Sequence, residues 1–131
     1  MGKTIDDILK RARSIQFEED FDLIVAIANG GIIPAAIINQ RLNIEFQLLK
    51  INWRNPGQQP IYSSPKLLHP INFEYKGKRI LLVEDRVKTG STLNYAKSLL
   101  EGAQLVKTLA VNGPSDYSLY DEDCFRMPWS L

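Results

Sequence analysis

Two uninterrupted apolar runs constrain this chain most: Leu23-Ile-Val-Ala-Ile-Ala28 and Ile80-Leu-Leu-Val83. A strand with one wet face alternates apolar and polar residues. A strand that is apolar at every position is covered on both faces, as in a parallel sheet between helices. Helical periodicity lies between the strand-like runs, so the fold class is α/β, a central mainly parallel sheet flanked by helices. At 131 residues and 44% hydrophobic, the chain has material for a single domain over 1–131.

A helix is expected over 4–16, opened by Thr4 and an acid at Asp7, with Ile5, Ile8, Leu9, Ala12 and Ile15 on one face. Ile32 to Leu42 reads as a second helix, because Pro34 sits where a first turn tolerates it and Asn43 breaks the pattern. Ile44 to Asn52 reads as a strand, and Arg79 to Val83 as another. A helix from Ser91 to Glu101 follows, ended by Gly102, then a strand from Val106 to Val111. The tail, 112–131, is rich in acids and aromatics and has room for two short strands. Pro56, Pro60, Pro65 and Pro70 punctuate 54–78, which reads as a long flexible loop of the kind that covers a site.

Sixteen Lys and Arg against 15 Asp and Glu leave a net charge of +1. No basic surface is set aside for nucleic acid or anionic lipid, so neither partner is expected. Cys124 is alone and cannot close an internal disulfide, which fits a reducing, cytoplasmic setting. The amino end runs straight into charged residues, so no leader is expected, and no apolar run reaches the length that spans a bilayer.

The segment from Arg79 to Leu93 carries the chemistry. A buried strand delivers Glu84 and Asp85 at its carboxyl end, and Thr89-Gly90-Ser91-Thr92 then opens a helix. Free N–H groups at a helix start, with hydroxyls and a glycine that admits an anion, make a phosphate cradle. Adjacent carboxylates suit sugar hydroxyls and a divalent cation carried by a phosphorylated ligand. Together they describe a ribose 5-phosphate site, and the standard P-loop and dinucleotide fingerprints are absent.

The run from Ile80 to Thr92, apolar residues, two acids, three variable positions and Thr-Gly-x-Thr, resembles the fingerprint of the type I phosphoribosyltransferase family. Ile27-Ala-Asn29-Gly30-Gly31-Ile-Ile-Pro34 is similar to the family's pyrophosphate loop, where glycines expose N–H groups to an anion and relax the backbone. The resemblance covers roughly 22–111. More weakly, the tail is similar to the base-binding hood of small bacterial xanthine-guanine type enzymes.

This resemblance implies 5-phosphoribosyl pyrophosphate (PRPP) with Mg2+ as donor, a nucleobase acceptor, a purine above others, and release of pyrophosphate. Glu84 and Asp85 would hold the ribose hydroxyls and the metal. Thr89, Gly90, Ser91 and Thr92 would take the 5-phosphate, joined by Lys88. Asn29, Gly30 and Gly31 would receive pyrophosphate, and Arg54, Tyr62, Ser63 or Lys66 of the long loop would close over it. Asn112, Phe125 and Trp129 would meet the base, and a homodimer is expected. Lys88 belongs with Glu84 and Asp85 among the catalytic positions because purine enzymes often carry Asp there. A lysine ammonium cannot accept the base's proton. Lys88, Asn29 and Asn112 all depart from the family pattern, which motivates the alternative of a PRPP or nucleotide sensor with little or no turnover. The plainer roles are core packing for Phe125 and Trp129, a loop position for His69, solvated faces for the acid clusters and an inert Cys124.

Overall fold

The computed structural model describes residues 2–52 and 65–131. Its elements run α1 (Ile5–Ser14), β1 (Leu23–Ala28), α2 (Ile32–Leu42), β2 (Glu45–Asn52), β3 (Lys66–Leu67), β4 (Arg79–Arg86), α3 (Ser91–Leu99), β5 (Leu105–Asn112) and β6 (Tyr117–Tyr120). They form a six-stranded sheet ordered β3-β2-β1-β4-β5-β6. The five long-range neighbours pair in parallel except β3, which runs antiparallel to the edge of β2.

Side chains of successive strand residues point to opposite faces, and the central strands use both. Leu23, Val25, Ile27, Ile80 and Leu82 pack with Leu93, Ala96 and Leu100 of the α3 side. Ile24, Ala26, Leu81 and Val83 pack with Ala12 of α1 and Ala35 and Ile38 of α2. All six residues of β1 are buried, which is why its sequence shows no alternation. A third cluster joins Ile8 of α1 to Val111, Leu119, Tyr120, Phe125 and Met127. The tail is therefore fastened by apolar contact to the amino-terminal helix.

The expected helices and strands are present with small shifts. Thr4 is the N-cap of α1: its hydroxyl accepts from the Asp7 N–H while the Asp7 carboxylate accepts from the Thr4 N–H. Asn43 closes α2 in the left-handed conformation, φ 51°. α3 stops at Leu99 rather than Glu101, because Leu100 turns its side chain into the core and leaves helical geometry at φ −100°. β4 runs on through Glu84, Asp85 and Arg86, three residues past its apolar run, because Glu84 and Arg86 still pair with Ala110 and Asn112 of β5. The tail holds one strand, β6, parallel to β5.

Of the loop expected over 54–78, the structure describes residues 65–78. Residues 65–78 carry β3, and Ile71, Phe73 and Tyr75 pack on the α3-side core. The Tyr95 hydroxyl of α3 accepts from the Leu67 N–H at 3.1 Å, which pins β3 to the helix. The loop positions Arg54, Tyr62 and Ser63 lie outside the described residues.

Candidate active site

β1 and β4 lie side by side, Leu23 to Ala26 paired with Ile80 to Val83. The chain leaves β1 for α2 on one face of the sheet and leaves β4 for α3 on the other. Loops that depart in opposite directions from neighbouring parallel strands open a crevice at their carboxyl ends, the usual ligand position in open α/β sheets. Asn29, Gly30 and Gly31 come into it from β1. Glu84, Asp85 and the Thr89–Thr92 turn come into it from β4.

The two loops press on each other. A Cβ on Gly30 would lie 2.7 Å from the Asp85 carboxyl carbon and both its oxygens, and one on Gly31 would lie 2.3 Å from the Val83 carbonyl oxygen. These glycines are needed for close approach. Gly31 sits at φ −84°, ψ −6°, open to any residue, so relaxed dihedrals are not the reason here. The Ala28–Asn29 peptide is cis, and Asn29 is exposed.

The acid pair is folded back on its own backbone. Glu84 Oε1 accepts from the Asp85 N–H at 2.9 Å, and Asp85 Oδ1 accepts from the Arg86 N–H at 2.7 Å. Glu84 is half-buried. Desolvation first, and then the Asp85 charge beside it, hold its pKa well above the ordinary carboxylate range. A carboxyl so placed gains from any cation that enters.

At the start of α3, Gly90 is the N-cap with φ 83°, a left-handed position that favours glycine, and it offers no side chain to the first turn. The Thr89 and Ser91 hydroxyls lie 2.9 Å apart, and Thr89 Oγ1 accepts from the Ser91 N–H at 3.3 Å. The first turn thus presents hydroxyls and backbone N–H groups with no carboxylate among them, as an anion requires. Lys88 and Thr89 are exposed at its rim.

The tail residues behave differently. The Asn112 side chain, 5% exposed, donates to the Glu122 and Asp123 carbonyls at 3.2 and 3.3 Å and accepts from the Glu122 N–H at 3.0 Å. Its amide is engaged in holding the tail. Phe125 is 6% exposed with its ring edge-on to Tyr120 at 5.4 Å, and Trp129 packs against the same cluster. The structure therefore brings together the acid pair and the two glycine-bearing loops, and places Asn112, Phe125 and Trp129 in packing and hydrogen-bonding roles beside them.

Arg86 is the residue that the sequence reading missed. Its Nη2 donates to the Phe125 carbonyl at 2.9 Å, and its Nε is buried with no hydrogen-bond partner among the described residues. An unpaired buried donor costs roughly 1–3 kcal/mol, and more when charged. The signal was present, since a cation directly after two acids at the end of a buried strand has few places to go.

The model of the phosphoribosyl transferase domain matches residues 1–128 of this chain. Xanthine-guanine phosphoribosyltransferase of Chromohalobacter salexigens is 31% identical over 122 residues, covering 87% of this chain and 72% of the relative. Orotate phosphoribosyltransferase of Sulfurisphaera tokodaii is 28% identical over 110 residues, covering 82% of this chain and 50% of the relative. In fold, the crystal structure of purine phosphoribosyltransferase from Pyrococcus horikoshii matches the whole chain and 93% of that structure, with a TM-score of 0.84 at 22% identity.

Proposed function

We infer the reaction from one premise: this chain belongs to the phosphoribosyl transferase domain family. It is an enzyme of the pentosyltransferase type, and the reading carried furthest is transfer of ribose 5-phosphate from PRPP to a ring nitrogen of a purine with release of pyrophosphate. The observation that supports it is the convergence of an acid pair, a bare helix start and a glycine loop at the switch point between β1 and β4.

In this reading the C1′–oxygen bond to pyrophosphate breaks and a C1′–nitrogen bond forms, through a transition state with positive charge on the sugar. The Thr89–Thr92 turn holds the 5-phosphate, with Lys88 at its rim. Asn29, Gly30 and Gly31 receive the leaving pyrophosphate. Glu84 and Asp85 take the ribose hydroxyls and offset the developing charge. The proton on the base nitrogen leaves to solvent, since a lysine ammonium has no lone pair to accept it.

Mg2+ fits this donor set as a passenger of the substrate. The acids are hard oxygen ligands, and no cluster of three or more His, Cys, Asp or Glu that could hold a metal occurs among the described residues. Magnesium is commonly held by one or two carboxylates together with substrate phosphates. When bound, it would neutralise charge on the leaving pyrophosphate.

Ile33 and Leu48, 42% and 45% exposed, leave apolar surface beside α2, and we assign it to a homodimer contact on the helix side of the sheet. Among the described residues no helix is long and apolar enough to cross a membrane. The reading sets the enzyme in the cytoplasm, with small molecules as its partners.

The experiment is pyrophosphate release from magnesium-PRPP with a pooled panel of purine and pyrimidine bases. Repeated turnover supports the transferase, and splitting the pool names the acceptor. A protein that binds PRPP tightly and stays silent with every base would instead be the sensor.

A further inference from the structure

Arg86 and Asn112 are register partners at the carboxyl ends of β4 and β5. Between them they bind the carbonyls of Glu122, Asp123 and Phe125, three of four consecutive residues in the tail. The Arg86 backbone N–H is itself held by the Asp85 carboxylate, the group that lies against Gly30. A short line of hydrogen bonds thus runs from the acid pair, against which Gly30 is packed, through Arg86 to the tail beside the carboxyl ends of β4 and β5.

Asn112 uses both ends of its amide in this task, whereas Arg86 leaves its buried Nε without a partner among the described residues. An arginine retained for packing alone could be replaced by an apolar side chain that leaves no orphan donor behind. Uncompensated buried polar groups concentrate where function requires them. Resting on the transferase reading above, we propose that Arg86 is a positioning residue for the acceptor base: it fixes the 122–125 segment relative to the acid pair. PRPP meets the two glycine-bearing loops and needs none of the tail. A base, or the base of a product nucleotide, meets both.

The test is calorimetric titration of the full chain with two probes, magnesium-PRPP and a panel of purine nucleoside 5′-monophosphates. It compares the unmutated protein with Arg86→Met, which keeps length and loses the donors, and Arg86→Lys, which keeps the charge. For Arg86→Met the expected result is a PRPP Kd within about 2-fold of the unmutated value and a monophosphate Kd weakened about 10-fold, the scale of one charged hydrogen bond. Arg86→Lys should recover part of that loss, and KM for the base should rise while KM for PRPP holds. If Arg86→Met does not fold, Arg86→Lys carries the comparison with a smaller but still one-sided loss. Equal weakening of both probes would make Arg86 a structural residue only and overturn the proposal, as would no change in either. An unmutated protein that ignores PRPP would sink the transferase reading itself, a different result from a variant that loses the nucleotide alone.

Discussion

The two ends of the sheet are built on opposite terms. At the amino ends, opposite charges meet and their groups are partnered. Arg79, the first residue of β4, donates from its side chain to Asp22 at 3.1 and 3.3 Å and from its backbone at 2.8 Å, while the Asp22 N–H returns a bond of 2.7 Å to the Arg79 carbonyl. Lys78 pairs with Glu45 at 2.9 Å. The Arg79 hydrogen bond holds the Asp22 carboxyl below its ordinary pKa, and the Gln47 and Lys78 side chains do the same for Glu45. At the carboxyl ends two like charges adjoin, glycine backbone lies on a carboxylate, and, among the described residues, an arginine donor is orphaned and α2 and α3 begin on Gly31 and Gly90 without side-chain caps. Surface ion pairs contribute little each, so the contrast lies in completeness more than in strength. One end is satisfied by the chain itself, and the other is left for something the chain does not contain.

The largest way to break that contrast is Asp85→Asn. If the carboxylate acts on a bound ligand, turnover with PRPP should fall at least ~10²-fold, the scale of a deleted preorganised electrostatic contact, while the melting temperature holds. Pyrophosphate release and a thermal scan on one preparation decide it. A variant with full turnover would place the chemistry elsewhere.

The neighbouring glycines sharpen the point, because they meet different things. A Cβ at Gly31 runs into the Val83 backbone oxygen, which cannot step aside, so Gly31→Ala should lose about 1–3 kcal/mol of stability. At Gly30 the obstacle is the end of the Asp85 side chain, which can rotate away. Gly30→Ala should therefore fold nearly as well and bind PRPP about 10-fold more weakly, through an Asp85 carboxylate moved off its place. Denaturant unfolding and a PRPP titration separate the two. Equal destabilisation by both would mean that the loop is merely a tight turn.

The two ends should also respond oppositely to pH. Glu84 has a raised folded pKa, so its contribution to stability is complete below the unfolded value, roughly 4.3, and is lost as pH rises through the folded value. Asp22 has a lowered folded pKa, so its contribution is present above its unfolded value, about 3.9, and is lost as pH falls through the folded one. Glu84→Gln should flatten the fall of the melting temperature as pH rises. Asp22→Asn should change the acid side alone. At a pH between the unfolded and folded values, binding of magnesium-PRPP should release a proton from Glu84, seen as a calorimetric enthalpy that depends on the buffer's ionisation heat. Melting curves that move together in both variants would contradict the contrast.

Much of this was legible from local pattern. Continuous apolar runs announced β1 and β4 because burial on both faces leaves no alternation, and Pro34 and Asn43 bounded α2 to the residue. The acid pair and the Thr-Gly turn were legible because local order alone puts them at a strand end and a helix start. What depended on contacts far along the chain was not. β3 is two residues long, and the alternation of Ile71, Phe73 and Tyr75 that packs 65–78 onto the sheet is brief and sits among prolines. The roles of Asn112 and Arg86 are fixed by tail carbonyls 10 to 39 residues away in sequence, and no spacing rule reports such partners. Gly30 and Gly31 were read as giving dihedral freedom and exposed N–H groups, whereas the structure packs them closely on Asp85 and Val83.

The smallest effect is expected at a helix end that the chain itself completes. Thr4 caps α1 through a reciprocal pair of hydrogen bonds with Asp7, 3.1 and 2.8 Å long, and this helix buries Ile8 and Ala12. Removing the hydroxyl in Thr4→Ala exposes one helix-end N–H to water and should lower stability by about 1 kcal/mol. The Asp7 carboxyl, held below its ordinary pKa by its hydrogen bonds to the Thr4 backbone and side chain, would keep the first of these, so the loss should be partial. Turnover measured well below the melting temperature should not change, because the cap completes a helix and presents nothing to a ligand. The bare caps of α2 and α3 predict the reverse: Ser91→Ala should leave stability nearly untouched and weaken PRPP binding. If Thr4→Ala instead slowed the reaction while the fold stayed intact, the amino-terminal helix would be transmitting strain through Tyr120 and Phe125 to the tail, and completed and bare helix ends could no longer be treated as separate.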